Sequence, residues 1–152
     1  MDTRGLLKRL DKEWQGLLQS LRGLSDEAMS GPGLVGEWSG KDLLGHIATW
    51  ENEAMKAMAE VMQGNRPPGY GKHGGIDVFN ARESAKKARL SLGEARSRLT
   101  DSHKRLVELV AGMPEEWWER ENPVRRRLRL DTYGHYRIHT RGVLEWRKEN
   151  GL

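Results

Sequence analysis

Apolar residues recur every three or four positions at Leu6, Leu7, Leu10, Trp14, Leu17, Leu18 and Leu21. That spacing keeps one face of a helix apolar and does not fit the alternation of a strand, so a first helix is expected over residues 2–24. The pattern returns along the chain. Ser39 with Asp42 forms a capping box ahead of an apolar arc of Leu43, Ile47, Trp50 and Ala54, which starts a second helix running to about Gln63. Ser91 with Glu94 repeats the box, and Leu92, Ala95, Leu99, Leu106, Val110 and Met113 form the stripe of a third helix ending before Pro114. Asp131 is expected to cap the last helix, with Tyr136, Val143 and Trp146 facing inward, Lys148 near its negative end and Gly151 as its stop. A shorter helix is expected over residues 77–89.

The intervening segments are punctuated by breakers. SDEAMSGPGLVGEWSG is expected to pack Leu34, Val35 and Trp38 without regular structure. The stretch after Gly64 holds Pro67, Pro68 and four glycines and is expected to be the most mobile part of the chain. MPEEWWERENPVRRRLRLD is expected to be a long connection with a short extended piece at residues 126–130. Four amphipathic helices with no strand pattern between them predict an all-α antiparallel four-helix bundle, one domain over residues 1–152, with long connections at its ends.

Composition limits the chemistry. With no cysteine, thiolate nucleophiles, disulfides and iron–sulfur clusters are excluded, and any metal must be held by histidines and carboxylates. The 26 basic and 22 acidic side chains leave a net charge of only +4, too small a margin for the basic stripe of a nucleic-acid binder, so no nucleic-acid partner is expected. The first twenty residues are charged every few positions and no window is apolar enough to span a bilayer, which predicts a cytoplasmic protein with no membrane partner.

HYRIH sets His135 and His139 four residues apart, on one helix face and one turn from each other. A rigid helix fixes both nitrogens in advance, so the pair can chelate one metal ion. His46, at the margin of the second helix's apolar arc, supplies a third ligand where a neighbouring helix approaches. The same spacing also fits histidines that merely edge the core and bond to carboxylates or carbonyls. His103 borders the inner face of the third helix, as a fourth ligand or, by preference, an ordinary boundary residue. His73, in GYGKHGG, is expected to be exposed, unless its loop acts as a lid.

The strings WSGKDLLGHIATWE and YGHYRIHTRGVLEW resemble the DinB/YfiT-like superfamily, and within it the ClbS/DfsB-like branch. The likeness covers most of the chain. It rests on Trp38, the run Lys41 to Leu44, His46 and Trp50 in the first string, and on the HxxxH pair in the second. The resemblance implies a four-helix bundle holding a divalent metal at one end on His46, His135 and His139. IDVFNAR also resembles the branch and implies that Asp77 and Asn80 line or brace the pocket entrance. The superfamily includes transferases and isomerases that use a small thiol, as well as hydrolases; the branch includes proteins that protect against reactive natural products by hydrolysing an electrophilic group.

The leading expectation is a metal-dependent enzyme, a hydrolase or thiol-dependent transferase, in which the three histidines hold zinc, nickel, iron or manganese. Its substrate is a small molecule, and a thiol reaction would need an external small-thiol cosubstrate because the chain has no cysteine. Glu53 is the candidate general base, with pairing to Lys56 or Lys41 as its plain alternative, while Trp50 and Tyr136 shape the pocket. The competing expectation is a metal-free binder or hydrolase of an electrophilic or apolar molecule, for which Trp38, Trp50 and Trp146 matter most. A third reading makes Arg125, Arg126, Arg127 and Arg129 a phosphate-binding patch, opposed by Asp131 and by Glu115, Glu116, Glu119 and Glu121. Trp117 and Trp118 are adjacent and do not easily share one core, so one of them is expected to cover the bundle end or meet a second copy in a homodimer.

Overall fold

In the computed structural model, which describes residues 1–152, four long helices form the bundle: α1 (Thr3–Leu21), α3 (Gly40–Met62), α5 (Leu92–Gly112) and α8 (Tyr133–Glu149). Shorter helices sit in the connections, namely α2 (Asp26–Ser30), α4 (Ile76–Lys87), α6 (Glu116–Glu119) and α7 (Pro123–Asp131). Helix α1 packs on α8 and α5, and α3 packs on α5 and α7. No strand forms; Val35 and Trp38 pair across a single bridge. No helix is long and apolar enough to cross a membrane.

The two expected capping boxes are present. Ser39 accepts from the Asp42 amide and the Asp42 carboxylate accepts from the Ser39 amide, and Ser91 and Glu94 do the same ahead of α5. These reciprocal bonds satisfy amides that the first turn leaves free, which fixes where each helix begins. The apolar stripes meet in a core of Leu6, Leu10, Trp14 and Leu17 from α1, Leu43, Ile47 and Met58 from α3, Leu99, Leu106 and Val110 from α5, and Tyr136 and Val143 from α8.

Residues 114–131 depart from the sequence-based expectation. The segment foreseen as a connection with an extended piece is mostly helical: Asn122 caps α7 by accepting from the Arg125 amide, and Pro123 stands in the first turn, where its missing N–H is no loss. Asp131 does not cap the last helix. It ends α7, and the chain turns at Thr132 directly into α8, which has no side-chain cap. The arginines are spoken for: Arg127 is buried against Asp131 at 2.9 Å, Arg129 meets Glu121 at 2.8 Å, and Arg125 donates to the Trp118 carbonyl at 3.1 Å. Only Arg126 of the four lacks such a partner, so no phosphate-binding patch is formed. Trp118 is fully buried in the core and Trp117 is half-buried on its margin, so of the pair only Trp117 keeps an exposed edge.

The corner between α7 and α8 depends on Gly134. A Cβ at that position would lie 2.6 Å from the Arg129 carbonyl oxygen, a backbone atom with nowhere to go. Only glycine lets the two helices meet this closely, and the meeting sets where α8 places His135 and His139.

Candidate metal centre

His46 stands in the second turn of α3, and His135 and His139 stand one turn apart on α8. The packing of α7 between these helices brings all three rings to one point. The Nε2 atom of His135 is 2.9 Å from that of His46 and 2.8 Å from that of His139, and the three ligand atoms lie within 4.8 Å of one another. A single imidazole nitrogen carries either one hydrogen or one lone pair, so His135 Nε2 serves one of these neighbours well and the other poorly. A cation at the common point would satisfy all three lone pairs at once. Nδ1 of His135 is buried without a hydrogen-bond partner.

The electrostatics favour neutral rings. Burial pushes His46 down to about 2, helped by His135, His139 and Lys87. Burial, with His139 beside it, pushes His135 down to about 3, and burial alone takes His139 to about 4. Neutral imidazole is the form that binds a metal, so these side chains are ready as ligands near neutral pH.

The triad forms one wall of a cavity of about 470 Å³ whose other walls include Trp38, Trp50, Tyr70, Leu130 and Ile138. The Trp38 ring lies 4.5 Å from the His46 ring, centroid to centroid. Asn80 accepts from the Trp50 indole at 2.9 Å and so sets that ring's angle. Asp77 stands in the first turn of α4 outside the cavity lining, so of the two residues the resemblance implied, only Asn80 braces the pocket.

Three expected site residues lie elsewhere. Glu53 is not in this cavity; its carboxylate takes the Lys56 ammonium at 2.9 Å, the plain alternative foreseen for it. Tyr136 turns away from the histidines into the bundle, where its hydroxyl donates to Glu51. Trp146 packs on the core and does not line the cavity. His103 is neither ligand nor boundary: its ring stacks on Trp14 at 3.7 Å, and its Nδ1 lies 3.1 Å from Glu51. His73 is half-buried and stacks on Phe79 at 4.8 Å.

Sequence reasoning missed two residues. Glu51 is fully buried among Ser102, His103 and Tyr136, and its signal was a lone acid four residues after Ile47 in the apolar arc. Tyr70, the one aromatic residue of the glycine-rich loop, lines the cavity and donates to Asp131 at 2.8 Å, under the Arg127 guanidinium. Burial and Asp131 push the Tyr70 hydroxyl up to about 12, so it stays protonated as a donor. This bond pins the loop, with Pro68 also accepting from Arg127 at 2.8 Å.

The sequence pattern of the DinB superfamily matches residues 9–141, nearly the whole chain. The chain belongs to the DinB superfamily. Solved structures agree with this DinB fold. An uncharacterised protein from Escherichia coli UTI89 superposes with a TM-score of 0.79 at 19% identity, covering 99% of this chain and 95% of that one. DfsB, described as a sibling lethal factor precursor, gives 0.80 at 16% identity, covering 99% and 97%. The colibactin self-resistance protein ClbS, solved with double-stranded DNA, gives 0.80 at 14% identity, covering 97% and 96%. The resemblance to the ClbS/DfsB-like branch is thus matched in the fold, and at these identities the likeness speaks to the fold alone. No curated protein matches the sequence.

Proposed function

We propose that this chain is a metal-dependent enzyme, a hydrolase or thiol-dependent transferase, acting on a small molecule in the tryptophan-walled cavity. His46, His135 and His139 are the ligands of a divalent transition metal, among zinc, nickel, iron and manganese. The observation that carries this reading is the meeting of three Nε2 atoms from half-buried histidines on two helices at one wall of a cavity of about 470 Å³. Three histidine ligands leave a position open, the arrangement of a catalytic metal rather than a structural one. Such a metal would supply Lewis acidity, polarising a carbonyl or lowering the pKa of a water.

The chain's own residues supply binding and exclusion of water. Trp38 and Trp50 offer flat apolar walls, and Asn80 holds the Trp50 indole by its N–H. Tyr70, kept protonated, closes one side and is held by Asp131. With no cysteine in the chain, a thiol reaction draws its sulfur from a small external cosubstrate.

The metal-free reading, in which the cavity binds or hydrolyses an apolar or electrophilic molecule, is favoured by the same aromatic walls. Duplex DNA, the partner of ClbS in its solved complex, suits this cavity poorly, since no Lys or Arg lines it. Elemental analysis of untagged protein beside the His139→Ala variant separates the readings. Near one equivalent of transition metal, lost in a folded variant, supports the enzyme. Absence of metal from both proteins after incubation with each of the four ions sinks it and leaves the metal-free pocket.

A further inference from the structure

On the other side of α3 from the histidines lies a larger cleft, of about 610 Å³, floored by Gly45, Ala48 and Ala95 and walled by Lys87, Arg98, Lys104 and Arg105. Its chemistry is the opposite of the histidine cavity, which has no cation in its lining. None of these four cations has a carboxylate within 4 Å, although the chain forms ion pairs at many other places. Arg105 is held by Asn52 at 3.0 Å and so stays free in charge.

Lys87 is built into the floor rather than hung over it. Its stem crosses α3 where Gly45 has no side chain; a Cβ there would lie 3.2 Å from the Lys87 Cδ. Its half-buried ammonium donates to the Gly45 carbonyl at 2.9 Å and to the Thr49 hydroxyl, both uncharged acceptors. Burial lowers its pKa; the Glu83 carboxylate, one turn back on α4 and beyond ion-pair distance, opposes this, and the Arg98 guanidinium adds to the lowering. Two cations that repel each other in a concave site, one of them partly desolvated, define a place where an anion gains from both.

We propose that this cleft is a second small-molecule site, for a compact phosphate-bearing ligand whose phosphate sits between Lys87 and Arg98. Asp101 and Glu108 share the cleft, and neither is engaged by a cation within 4 Å. They would repel a continuous polyanion such as a nucleic-acid backbone and would accept from hydroxyl or amino groups on a small phosphorylated molecule. The site is independent of the metal reading, since none of its residues is a ligand of the triad.

Calorimetric titration of the full-length protein with pyrophosphate at low salt tests this directly. Lys87→Met and Arg98→Gln should each weaken binding by about tenfold or more, as expected for loss of a charge-assisted hydrogen bond. Arg141→Gln, an exposed cation on α8 outside the cleft, should leave it unchanged. Arg98 is exposed, so its variant keeps the fold even if Lys87→Met loosens α4, and circular dichroism checks both. No pyrophosphate binding, or equal weakening in Arg141→Gln, overturns the proposal. So does binding of duplex DNA that the two cleft substitutions abolish while pyrophosphate gives no heat, since the cleft would then serve a polymer.

Discussion

The Tyr136 hydroxyl donates to the Glu51 carboxylate at 2.5 Å, so the helix that carries His135 and His139 is bonded, inside the core, to the helix that carries His46. Glu51 also accepts from Ser102 and meets His103 on α5, so one buried acid gathers three of the four bundle helices. Tyr136→Phe removes one donor and leaves a fully buried acceptor less well satisfied, which should destabilise the protein by about 1–3 kcal/mol. Urea unfolding measures this. Metal affinity should fall alongside, because α8 is then free to shift against α3; an unchanged affinity would show that packing alone sets the histidine register.

Glu53 provides the contrast. Its partner Lys56 is mostly exposed, and a surface pair of this kind contributes about 0–1 kcal/mol. Glu53→Gln should therefore keep metal content and any activity at the wild-type level, with a stability change within about 0.5 kcal/mol. Loss of turnover with metal retained would restore Glu53 as the base.

What could be read in the sequence follows from how far each signal acts. Helix starts at Ser39 and Ser91 were legible because a capping box is a contact within four residues. The histidine triad was legible in part from spacing and in part from resemblance, since His135 and His139 share one turn whereas His46 joins them only through α7. The roles of Glu53 and Tyr136 were not legible. Glu53 stands two turns beyond His46 on nearly the same row, but its carboxylate reaches Lys56 instead of the cavity, and Tyr136 follows His135 directly, a rotation of about 100° that turns it into the bundle. Helix α7 was hidden by its arginines, which read as a solvated run until Asp131, Glu121 and the Trp118 carbonyl are seen to receive them.

Acid should unfold the metal-free protein early. His46, His135 and His139 sit at about 2, 3 and 4 in the folded chain, against 6.5 for an ordinary histidine. Below pH 6.5 the unfolded chain takes up protons that the folded chain refuses, so stability is fully present above that pH. It then declines as pH falls toward about 4, by up to about 1.4 kcal/mol per pH unit for each histidine. Urea midpoints between pH 7.5 and 5 should drop steeply for the wild type and less steeply for His139→Ala. A flat wild-type profile over this range would mean that the rings open to water and titrate normally.

Two glycines of the last helix should respond to alanine with opposite signs. At Gly142 an added Cβ meets nothing within 4 Å, and the residue lies inside α8, so Gly142→Ala gains helix propensity alone and should stabilise by about 0.5–1 kcal/mol. At Gly134 the same methyl meets the Arg129 carbonyl oxygen at 2.6 Å, and relief requires moving α7 or the start of α8. Gly134→Ala should destabilise by about 1–3 kcal/mol, the range for overpacking, and should weaken metal binding because His135 follows it directly. Thermal unfolding and metal titration of both variants check this. Stabilisation by both substitutions would show that the α7–α8 corner yields easily, and that the close approach of the two helices does not hold His135 in place.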